Sequence, residues 1–134
     1  MGQLKISDLS VGDWVQDKEG TPAKILGIEQ WSGEYYLNVE VNGVDVGNVI
    51  AEGALPIPIT PEILEKNGFI KNGAYNEWNI GEWDEKPFIG VSLDRQSLRV
   101  KHFGNDIFIE GKELFVHQLQ HALRLAGVGK EIEL

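Results

Sequence analysis

The dipeptide Asn42-Gly43 constrains this chain more than any other pair of residues. Both central positions of a two-residue hairpin turn need positive φ, and Asn followed by Gly supplies it at the least cost. The flanking residues alternate, so the turn sets Val41 opposite Val44 and Val39 opposite Val46. Tyr35, Leu37, Val39 and Val41 then share one face with Val44, Val46 and Ile50, while Asn38, Glu40 and Asp45 look the other way. Upstream, Leu9-Ser10-Val11-Gly12-Asp13-Trp14-Val15 reads as a turn entering a strand, and an apolar run follows from Ala23 to Ile28. Short strands and tight turns of this kind predict a small, strongly bent antiparallel barrel of the SH3-like type over residues 1–59.

The segment Leu55-Pro56-Ile57-Pro58-Ile59 alternates proline with aliphatics, which suits an extended link and not a central strand. Directly after it, Thr60 is placed to cap a helix, Pro61 to occupy its first turn and Gly68 to end it, with Phe69 folding back on Leu64. In residues 60–134 three further hairpins are expected. A turn at Ile80-Gly81 would set Trp78 opposite Trp83, and turns at Arg95-Gln96 and Gly104-Asn105 would place Ile89, Val91, Leu93, Leu98, Val100, Ile107 and Ile109 on one face. The same register sets Arg99 opposite Glu110. Leu119, Ala122, Leu123 and Ala126 recur at helical spacing before Gly127, so a C-terminal helix covers that face. The expected class is therefore α+β, a barrel lobe fused to an antiparallel meander packed by one helix.

Charge narrows the function classes. The 134 residues carry 12 Lys+Arg against 21 Asp+Glu, and residues 1–60 alone hold 9 acids and 3 bases. Duplex nucleic acid and anionic membrane surfaces are poor partners for such a chain, whereas a protein with a basic surface is a good one. The absence of cysteine removes disulfides, thiolate nucleophiles and Cys-ligated metal. No apolar run approaches the roughly 20 residues of a membrane span and no signal peptide is legible, which gives a cytoplasmic expectation.

Two constellations carry chemistry. His117 and His121 lie one helical turn apart, and the meander register brings His102 to the covered face, so the three form a candidate metal site. Against it, Gln118, Leu119 and Gln120 stand where a zinc helix carries a glutamate, and the apolar stripe runs through Leu119 and Leu123. The second constellation is Tyr75, Trp78 and Trp83 among Glu77, Glu82, Asp84 and Glu85, aromatics beside acids that suit a cationic partner or simply close a small core. Gly127-Val128-Gly129-Lys130 lacks the context of a phosphate loop, and no serine has that of a hydrolase nucleophile. No cofactor is expected.

The stretch Pro56-Ile57-Pro58-Ile59-Thr60-Pro61-Glu62-Ile63-Leu64-Glu65-Lys66-Asn67-Gly68-Phe69, followed by Val116-His117-Gln118-Leu119-Gln120, resembles a family of small uncharacterised proteins carried by phages and mobile elements of Bacteroidetes. The resemblance implies an accessory role and brings no catalytic residue with it. The expected function is non-enzymatic binding of a protein partner, through the barrel face or through Tyr75, Trp78 and Trp83. Two other classes stay open: a metal-dependent hydrolase using His102, His117 and His121, and a small-molecule sponge with an apolar cleft between the lobes beside Arg95, Arg99 or Lys101. An exposed edge strand would allow a homodimer.

Overall fold

Two consecutive primed turns organise the first sheet, one at Ser32-Gly33 (φ 52° and 80°) and one at Asn42-Gly43 (φ 53° and 79°). They connect strands β2 (Pro22–Trp31), β3 (Glu34–Val41) and β4 (Val44–Ile50), and the short β1 (Trp14–Gln16) pairs with the start of β2. In this computed structural model the described residues are 6–50, 53–73, 77–81, 88–102, 105–110, 113–128 and 131–134, with backbone alone described for Asn48, Ile50, His102, Asn105, Asp106, Ile107, Ile109 and Glu110. The chain divides into two compact units, Met1–Ile57 and Pro58–Leu134.

The first unit corrects the expectation of an SH3-like barrel. Its sheet runs in the order β1-β2-β3-β4, and no closed barrel is found among the described residues. Among the described residues the chain after β4 meets β1 at an isolated bridge between Leu55 and Gln16, with paired amide bonds of 2.8 and 2.9 Å. Pro56 and Pro58 then offer no donors with which to extend it. The whole protein is accordingly mostly antiparallel β with two short helices, and the α+β assignment built on a barrel lobe does not hold.

A bulge in β4 alters the inner face as well. Val41 does face Val44, but Glu40 pairs with Asp45 and Val39 with Gly47, so Val46 is the extra residue. Gly47 holds φ 86°, which a branched side chain would resist, and its N–H donates to Asp45 Oδ1 at 2.8 Å. Leu37 and Val39 are buried with Leu9, Val15, Ala23, Ile25 and Ala54 as the core of this unit. Val44 and Val46, expected beside them, are instead 61% and 53% exposed, although Val44 still pairs with Val41.

In the second unit α1 (Pro61–Lys66) forms as its residues dictate. Ile63 N donates to Thr60 Oγ1 at 3.2 Å, Gly68 takes φ 85° and Phe69 N donates back to Leu64 O. The sheet that follows has five strands in sequence order, β5 (Ile70–Asn72), β6 (Glu77–Ile80), β7 (Phe88–Ser92), β8 (Ser97–His102) and β9 (Asn105–Glu110). Trp78 faces Val91 across β6 and β7, so the expected hairpin at Ile80-Gly81 does not form; a β-branched Ile80 is unsuited to a primed turn. The next two turns come one residue earlier than expected. Ser92 pairs with Ser97 and His102 with Asn105, which keeps Ile89, Val91, Leu98 and Val100 on one face with Ile107 and Ile109 in register beside them, but leaves Leu93 in the turn and sets Arg99 opposite Phe108, not Glu110.

Helix α2 (Val116–Leu125) packs on β8, and Val116, Leu119, Ala122 and Leu123 are buried with Ile89, Val91, Leu98 and Val100. The helix starts with Phe115 N donating to Gln118 Oε1 at 2.9 Å. Strand β7 is buried at all five residues, on both faces. On its second face Glu77 lies over Gly90 and forms a bidentate ion pair with Arg99, at 2.8 and 2.9 Å, while the Arg99 guanidinium sits 5.9 Å from the Phe88 ring centroid.

Candidate functional site

An opening lies over the inner face of the first sheet. There a cavity of about 490 Å³ is floored by Val15, Ala23, Val39 and Ala54 and walled by Val41, Val46 and Val49, with Gly53 at its end. That volume lies within the range of about 300–1,000 Å³ common for ligand sites, and the predominance of aliphatic groups is the usual character of such sites. Val39 is 2% exposed whereas Val49 is 41% exposed, so the floor belongs to the core and the wall is open to solvent.

Among the described residues, the polar side chains lining the cavity are Gln16, Asp17 and Thr21, at the end of β1 and the turn into β2. Gln16 is held there by its side-chain amide, which donates to Pro56 O at 2.8 Å. Asp17 shapes the adjoining turn: its Oδ1 accepts from Glu19 N at 2.8 Å and Thr21 N at 2.9 Å. The Thr21 amide, against a smaller opposing effect of desolvation, holds the Asp17 carboxyl below the usual aspartate range, so a fixed negative charge marks this end. An apolar group flanked by cations suits this arrangement.

The residues nominated from sequence are placed differently. Trp78 is half-buried in β6, with Lys71 Nζ 6.0 Å from its ring centroid, so its indole is partly covered. Tyr75 and Trp83 lie outside the described residues. His117 and His121 do approach, with ring centroids 5.9 Å apart, and His117 is 4% exposed and stacked at 6.0 Å on Phe115. The side chain of His102 lies outside the described residues, and among those described no group of three or more His, Cys, Asp or Glu is gathered as a metal ion would need. Among the three cations suggested for a ligand cleft, Arg99 is engaged by Glu77. Among the described residues no helix is long and apolar enough to cross a membrane.

The cavity itself escaped the sequence pattern, because period-two alternation from the Asn42-Gly43 turn puts Val46 and Ile50 on the inner face, whereas the bulge shifts the parity so that Val49 pairs with inward-facing Leu37 and Ile50 with Tyr36. The available signal was the pair Asp45 and Gly47 just past the Asn42-Gly43 turn, a side-chain acceptor and a φ-permissive residue placed for a bulge. No family model, no curated protein and no solved structure matches the chain.

Proposed function

We propose that the chain is a non-enzymatic binding protein whose first unit receives an apolar side chain from a protein partner with a basic surface. The observation that carries this reading is the valine-lined cavity of about 490 Å³, whose wall residues Val46 and Val49 stay exposed in the isolated chain. Charge supports the choice of partner: residues 1–60 hold 9 acids against 3 bases, and Asp17 sits at the end of the cavity. Binding then combines burial of the exposed wall with a salt-screened attraction, and its on-rate falls as ionic strength rises.

The test is a fluorescence titration with Nile red, a neutral apolar dye, followed by displacement with a synthetic peptide holding one isoleucine between two lysine pairs. Saturable dye binding, displacement that weakens in salt, and loss of both in Val49→Asp are the expected results. A dye that fails to bind, or that binds Val49→Asp as well as the parent, overturns the reading. Displacement by the uncharged analogue at equal strength would replace the basic partner with a small apolar ligand and make the protein a sequestering one.

A further inference from the structure

Across the hairpin of β2 and β3, Glu29 pairs with Tyr36 and Trp31 with Glu34. Residues directly opposite share a face, so two aromatics and two carboxylates are displayed together. They occupy the face opposite the cavity, because Leu37 and Val39 turn inward and the even-numbered residues of β3 turn outward. The Trp31 and Tyr36 rings stand 6.3 Å apart at 52°, an open wedge, and the Tyr36 hydroxyl donates to Glu34 Oε2 at 3.3 Å. The contact with Tyr36 does not bury the indole: Trp31 remains 73% exposed, and Glu29 and Glu34 are exposed beside it.

We infer that this outer face of the β2–β3 hairpin is a docking site for an arginine side chain of a basic protein segment. A guanidinium is planar and weakly hydrated, so it can lie against an indole face while its N–H groups fork to a carboxylate. Trp31 supplies the face, Tyr36 the second wall of the wedge, and Glu29 and Glu34 the acceptors. A purely apolar occupant would leave two carboxylates to be desolvated without compensation, which the charge of the patch disfavours. The site is independent of the cavity reading, since it uses other residues on the other face of the sheet.

The probe is the capped tripeptide Gly-Arg-Gly, titrated into the ¹⁵N-labelled full chain while the indole N–H resonances are followed, with Trp31 assigned by its loss in Trp31→Phe. The Trp31 resonance shifts saturably and those of Trp14 and Trp78 do not; the double change Glu29→Gln and Glu34→Gln weakens binding about threefold to fivefold or more. Val49→Asp leaves the titration unchanged, and Gly-Lys-Gly binds more weakly than Gly-Arg-Gly. Absence of any Trp31 shift, equal shifts at all indoles, or unaltered binding in the double variant overturns the site. Equal binding of the lysine tripeptide overturns the assignment to arginine.

Discussion

Asn67 and Glu133, one just past the end of α1 and the other next to the last residue of the chain, face each other as if they were two rungs of a ladder. Asn67 Nδ2 donates to Glu133 O at 2.8 Å and Glu133 N donates to Asn67 Oδ1 at 2.7 Å. The same Nδ2 reaches Ile63 O at 2.7 Å, and Asn67 is 2% exposed. Lys66 Nζ adds a bond to Leu134 O at 2.6 Å, and Ile132 is buried, so residues 131–134 are held against the second unit without joining its sheet.

Replacing Asn67 by Ala removes three hydrogen bonds and leaves backbone groups of Ile63 and Glu133 without that partner in a part-buried setting. A loss of about 2–4 kcal/mol in unfolding free energy is expected, well above the usual effect of a surface change. Asn67→Asp keeps the acceptor but lacks the amide donor, and it falls in the same range. Urea denaturation measures both. A loss under about 0.5 kcal/mol in Asn67→Ala would show that the tail is held by Ile132 and Lys66 without it.

A second prediction concerns Gly90. A Cβ added there would lie 2.6 Å from Glu77 Cδ and 2.8 Å from both its carboxylate oxygens, closer than side-chain atoms approach. Glu77 is pinned by its two bonds to Arg99 and cannot step aside without breaking them. Gly90→Ala should therefore cost about 1–3 kcal/mol as an overpacked site. The cost should shrink when Glu77 is also replaced by Ala, and a double-mutant cycle reads the difference. Additive effects would mean that the strain falls on the strand itself and not on the ion pair.

How far these features can be read in the sequence depends on the range of the interaction that decides them. Thr60, Pro61, Gly68 and Phe69 spell out α1 within ten residues, because caps and stops are satisfied locally. The faces of β7 and β8 were also legible, since a register error of two residues leaves Val91 and Val100 on the same side. The arginine partner was not: Glu77 reaches Arg99 only because the glycine at position 90 leaves the space between them empty. Sheet closure was illegible for a similar reason, as it turns on whether residues 53–58 can pair with β1, and among these described residues the bridge to β1 is at Leu55, directly before Pro56. The cavity depends on one bulged residue, Val46, whose effect on exposure is tertiary.

The valines of the cavity should separate stability from binding. Val39 is at the floor and fully packed, so Val39→Ala is expected to cost about 1–2 kcal/mol. Val49 is on the open wall, and Val49→Ser should change stability by less than about 0.5 kcal/mol. Dye binding should respond in the opposite order, with the larger loss in Val49→Ser. Parallel urea melts and Nile red titrations make the comparison, and a Val49→Ser protein that unfolds as easily as Val39→Ala would place Val49 in the core.

Strong acid should weaken the turn at Asp17. Its carboxyl is held below the usual value of 3.8, chiefly by the Thr21 N–H and further by that of Glu19. A folded-state value below the unfolded one means that the charged form is the one folding favours, so the contribution is present above the unfolded value and is lost as pH falls through the folded one. Asp17→Asn removes the charge at every pH. The gap in melting temperature between the parent and this variant should therefore be widest at neutral pH, begin to close as pH falls past about 3.8, and vanish in stronger acid. The group is exposed, so the gap is small, but it should survive added salt, because hydrogen bonds and not distant charges hold the carboxylate. A gap that stays constant from neutral pH into strong acid would show that Asp17 shapes the turn through its geometry alone, in either protonation state.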